Sequence, residues 1–150
     1  MNLMTNLIAR PERGQNESVT IHAIRRSAHT VLIFGASLTA VSALGATTLN
    51  YFKGKTIIPL KTTPLHGFVT AGIYSLCIDG HYWATGKKEQ NGGVRLKAII
   101  SVALTILTSP FLTYYLANKR LNLPIKRLPV AGMAASGAIV IFLLEAARNK

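Results

Sequence analysis

The chain has 150 residues, of which 49% are hydrophobic and only 15% charged, with 17 Lys+Arg against 5 Asp+Glu and a formal net charge of +12. One domain is expected at this length. A soluble domain carries about 25% charged residues, so the sparse charge argues against a basic nucleic-acid binder with a wet surface, and the single cysteine, Cys77, rules out an intramolecular disulfide framework.

Residues 1–17 read as a mobile N-terminal arm, with "MNLMTNLI" apolar enough to dock on a partner. A helix is expected to begin at Glu17 or Ser18, and it carries Arg25 and Arg26 just ahead of the first apolar run. That run, Ser27 to Phe52, has no charged residue. Crossing the hydrocarbon core takes about 20 apolar residues, so a span is placed at 28–49. The long arm before it and the apolar runs after it favour a retained signal-anchor over a cleaved signal peptide. Gly35, Thr39, Ala43 and Thr47 recur every four residues on one face of this span. Such small faces allow close helix approach.

Lys53, Lys55 and Lys61 separate this span from the weakest one, at 63–84, which contains His66, internal glycines and Asp79. Within "CIDGHYW", Asp79 and His81 form a candidate polar site that could relay a proton. The preferred reading is a headgroup belt at Tyr82 and Trp83, with Asp79–Gly80 ending the helix. Cys77 is expected to be an inert buried thiol. A flexible polar turn, "KKEQNGGVRLK", follows.

The third span, at 97–117, carries a hydroxyl stripe at Ser101, Thr105, Ser109 and Thr113, read as a packing face. Pro110 is expected to kink or break it near Thr108–Ser109. Tyr114 and Tyr115 read as a second belt. "NKRLNLPIKRLP" then places the pairs Lys119–Arg120 and Lys126–Arg127 around apolar residues, as in an interfacial loop whose cations meet lipid phosphates. The fourth span, at 128–147, has Gly132 and Ser136 as a small-xxx-small packing pair.

The expected fold is therefore all-α: a polytopic integral membrane domain, 18–150, with four transmembrane helices, three being the alternative if the second segment is re-entrant or interfacial. Basic residues divide ten to seven between the two sides, a weak bias that leans towards cytosolic termini. The five acids are scattered, and neither HExxH nor a phosphate-cradling glycine loop occurs. No catalytic, cofactor-binding or metal-ligating residue is assigned, and no enzymatic activity is expected. Helix packing is assigned to Gly35, Thr39, Ala43, Ser101, Thr105, Ser109, Gly132 and Ser136. Contact with lipid or partners is assigned to Arg25, Arg26, Lys119, Arg120, Lys126 and Arg127. These features lead to the expectation of a structural or accessory subunit, or a membrane-resident interaction protein, in a bacterial inner membrane or an organelle membrane. Its expected partners are anionic lipids, other membrane subunits or further copies of itself, not nucleic acid. The alternative is a small oligomeric transporter, channel or holin-like pore.

Overall fold

The computed structural model describes residues 7–85 and 91–148, the side chains of 91–96 excepted, and its regular structure is entirely helical among the described residues. Helix α1 spans Val19–Lys53. Ser18 caps it, its hydroxyl accepting the Ile21 N–H at 3.2 Å. Gly54 stops it in the left-handed conformation at φ 61°, which a residue lacking Cβ adopts without strain.

Helix α2 spans Thr62–Thr85. Thr62 and Thr63 donate hydroxyl hydrogen bonds to the Pro59 and Leu60 carbonyls at 2.7 and 2.9 Å. Pro64 falls in the first turn, where its missing N–H would have had no helical partner. The helix continues past Asp79–Gly80, so that pair does not end it. Helix α3, Asn91–Tyr115, likewise runs through Pro110 without interruption. The departure from α geometry comes later, in a π-helical turn at Leu116–Arg120 closed by Leu121 N–H to the Leu116 carbonyl at 3.0 Å. Helix α4 spans Arg127–Arg148, with Pro129 in its first turn.

Cross-helix contacts fix an antiparallel order. Arg26 and Ser27 of α1 meet Asp79 and Trp83 of α2, whereas Gly35 and Thr39 meet Phe68 and Gly67. His66 of α2 faces Thr113 of α3, and Arg148 of α4 returns to Thr30 of α1. Both described chain ends therefore lie at one end of the bundle, the terminal end. The α1–α2 and α3–α4 connections form the other, the loop end.

Among the described residues three helical stretches are long and apolar enough to cross a membrane: Val19–Lys53, Lys97–Arg120 and Arg127–Arg148. α2 is not among them. Its polar residues, His66, Thr70, Ser75 and Asp79 among them, lower its hydropathy, and the helix packs against all three others with these residues turned into the interior. Hydropathy averaged around a helix cannot distinguish polar groups buried in protein from polar groups facing solvent.

The interior is mixed. Among the described residues fifteen apolar and fourteen polar or charged side chains are buried, while 24 large hydrophobics are exposed. A water-soluble bundle has the opposite arrangement, with a dry core and a charged exterior. Near the terminal end the apolar cluster is Phe34, Leu38, Ala71, Tyr74, Ile78 and Ile141. Near the loop end it is Ala46, Ile58, Ala117, Ile125, Val130 and Met133, with the two loops contributing Ile58 and Ile125. α1 and α2 approach most closely at Gly67, where a Cβ would lie 2.8 Å from the Gly35 carbonyl oxygen and the Thr39 nitrogen.

Candidate functional site

The terminal end is built from paired charges. Arg26 Nε donates to Asp79 at 2.7 Å, with the Asp79 side chain 1% exposed and that of Arg26 11%. The same guanidinium lies 5.0 Å over the Tyr82 ring, and the Ser75 hydroxyl donates to the other Asp79 oxygen at 3.4 Å. A carboxylate so deep in the bundle is tolerable because it has both a cation and a hydroxyl. A second cluster links Glu145 to Arg10 at 3.2 Å and Arg148 at 3.3 Å. Arg148 also donates to the Ile8 carbonyl at 2.9 Å and lies 5.0 Å over Phe34.

These contacts tie residues 7–17 of the expected mobile arm across the bundle. His29 bonds the Leu7 carbonyl at 3.0 Å, and Arg25 bonds the Glu12 carbonyl and the Glu17 carboxylate. Partial desolvation pushes the Glu17 carboxyl up, but the Gly14 N–H, Arg25 and His22 outweigh it and hold its pKa below the ordinary 4.5. Residues 1–6 lie outside the described residues, as does most of the expected basic turn between α2 and α3.

The middle of the bundle is a hydroxyl layer. Ser101, Thr105, Ser109 and Thr113 are all buried, at most 2% exposed. Thr105 donates back to the Ser101 carbonyl at 2.7 Å. Thr113 and Thr70 both lie 3.5 Å from His66 Nδ1, and His66 Nε2 points towards Gly137 of α4. His66 thus packs against α3 and α4 from the start of α2. The hint in the sequence is its register, four residues before Thr70 on the inner face of α2.

The loop end carries Lys53, Lys55, Lys61, Lys119, Arg120, Lys126 and Arg127, all exposed, and no acid. Its internal polar contacts come from amides. Asn50 accepts the Ile57 and Ile58 N–H groups at 2.7 and 3.0 Å and donates to the Ile58 carbonyl. Asn118 accepts the Ile125 N–H at 3.2 Å and donates to the Ile125 and Tyr114 carbonyls. Each connection is thus folded onto one asparagine from the helix turn preceding it. Sequence reasoning missed both clamps.

The other assigned residues are placed as follows. Gly35 and Thr39 face α2, Ala43 is half-buried, and Gly132 and half-buried Ser136 border an open groove beside α1. Arg26 is turned inward, and Arg25 is taken up by the arm. His81 is exposed and separate from Asp79, which has Arg26 instead. Tyr82 is buried, Trp83 donates to Ser27 at 2.9 Å, and Cys77 is half-buried. Tyr114 sits under Arg127 at 5.4 Å, and Tyr115 is exposed.

Among the described residues no group of three or more His, Cys, Asp or Glu is arranged to hold a metal ion. No protein-family model, curated protein or solved structure matches the chain.

Proposed function

We propose that this is a four-span membrane protein acting as a structural or accessory subunit, with its helices packed through small and hydroxyl-bearing faces and its cationic loop end held at anionic headgroups or acidic partner surfaces. The observation that carries this reading is the inward turn of the α3 hydroxyl stripe. Ser101, Thr105, Ser109 and Thr113 are all buried between helices, with Thr105 bonded back to the Ser101 carbonyl and Thr113 beside His66. Close hydroxyl and glycine faces are how helices associate where lipid removes the hydrophobic drive between them.

The fourth span is α2. Its 24 residues reach about 36 Å at 1.5 Å per residue, and its outward side chains include Phe68, Leu76 and Trp83. Its polar groups His66, Thr70, Ser75 and Asp79 are turned towards the other helices, which leaves an apolar face for lipid. An even number of spans also agrees with both chain ends lying at one end of the bundle. The seven loop-end cations then belong to one leaflet, each adding about 1 kcal/mol of attraction where that leaflet is anionic.

Native co-purification in mild detergent, read by mass spectrometry, tests the function. A stoichiometric partner or a defined oligomer is expected, and a lone monomer recovered from its own membrane overturns the reading. A second reading, an oligomeric proton or ion path, draws on the buried Arg26–Asp79 pair, since ionisable residues inside membrane bundles often serve transport. Liposome flux lost on Asp79→Asn with the fold intact would favour it.

A further inference from the structure

The loop-end halves of α1 and α4 do not close on each other. Between them lies an open groove of about 520 Å³, within the roughly 300–1,000 Å³ usual for ligand sites. Its walls are apolar, including Val41, Leu49, Leu128 and Met133, and its floor is widened by Gly45 and Gly132, where a Cβ would meet nothing within 4 Å. One cation, Lys53, lines it. Lys53 has no carboxylate partner among the described residues, because the loop end contains no acid.

The dimensions match one leaflet. From Val41 to Lys53 the groove follows α1 for twelve residues, about 18 Å at 1.5 Å per residue. Half of a hydrocarbon core is about 15 Å. The charge lies at the end where headgroups would be, and the small-residue floor lies where an acyl chain would descend. A second copy is a poorer occupant: side-by-side docking in the same orientation brings seven cations against seven, with no acid to offset them. An anionic amphiphile has the opposite charge at the correct depth.

We propose that the α1–α4 groove binds one anionic phospholipid, its acyl chain between Gly45 and Gly132 and its phosphate on Lys53. This rests on the reading that the loop end lies at the headgroups, and makes that contact a defined site. The test is thermal unfolding in mild detergent with added phosphatidylglycerol or phosphatidylcholine of the same chains, together with native mass spectrometry. Phosphatidylglycerol is expected to raise Tm by about 5 °C or more, as a ligand near 100-fold over its Kd does for a chain of this size, and to leave one lipid retained. Gly45→Leu fills open space and should fold while abolishing the shift. Lys53→Glu should also abolish it, whereas Lys55→Glu, outside the groove, should keep it.

Equal shifts with both lipids, or the same shift with inorganic phosphate alone, overturn the proposal. So does a doubled mass that Gly45→Leu returns to monomer, which assigns the groove to a second copy. A phosphatidylglycerol shift that survives Gly45→Leu overturns the groove and leaves the general headgroup contact standing. No shift in any variant removes both.

Discussion

Among the described residues, the two ends of this bundle treat charge in opposite ways. At the terminal end, Asp79, Glu145 and Glu17 are each held by arginine, and the first two pairs are buried. At the loop end, seven cations point outward without an acid, and the connections are closed by the neutral amides of Asn50 and Asn118. The division separates two uses of charge. A charge that joins helices must be matched within the protein, or its desolvation is uncompensated. A charge meant for an external surface must stay unmatched, so neutral groups satisfy the local backbone.

The largest expected effect breaks the matched end. Asp79→Leu leaves the Arg26 guanidinium buried without its anion and should cost about 3–5 kcal/mol in detergent unfolding. The double variant Arg26→Leu, Asp79→Leu should recover much of that loss. If it is no more stable than the single variant, the pair is not the reason for the loss.

A perturbation between the ends supplies the reference. A methyl at Gly67 would run into the α1 backbone, so Gly67→Ala should cost about 1–3 kcal/mol. Gly132→Ala, into open space, should change stability by less than about 0.5 kcal/mol. Equal losses at the two positions would contradict the close α1–α2 approach.

At the loop end the amides should matter more than the charges. Asn50→Leu leaves the Ile57 and Ile58 N–H groups without their acceptor and should cost about 1–3 kcal/mol, and Asn118→Leu somewhat less, since it strands one. Replacing Lys119, Arg120 and Lys126 with Gln should leave Tm within about 2 °C, while weakening phosphatidylglycerol binding to the detergent-solubilised protein by about 1 kcal/mol per charge. A large fall in Tm would mean that these cations join helices after all.

The smallest effect concerns Glu17. Its folded pKa is depressed, so its contribution is present above pH 4.5 and is lost as pH falls through the lower folded value. Hydrogen exchange at Gly14–Ile21 should accelerate only in that acidic window. Acceleration beginning at neutral pH would contradict the depressed value.

Much of the layout was legible along the chain. Ser18 announced the start of α1, and the charge-free runs marked the helices, because a side chain's preference for water or hydrocarbon is local. The hydroxyls of α3 recur every four residues, which puts them on one side of the helix, and that side is buried. The role of Asp79 was not legible: its polar neighbour in sequence is His81, but its partner, Arg26, is 53 residues away. Arg26 itself sits in a basic pair that looked like a headgroup contact, and only one of the two arginines turns inward. The Asn50 and Asn118 clamps were hidden for a different reason. Their partners are backbone groups, which every residue carries.

Length, the uncharged runs and the basic breaks between them determined by themselves that the chain forms long apolar helices separated by basic segments, because a side chain's preference for water or for an apolar surrounding is local. Which face of each helix looks inward, which charges cancel, and which groove stays open were decided only in the tertiary structure. Helical period specifies what shares a face, but the neighbour opposite that face is set by how four helices fit together at Gly35, Gly67 and His66.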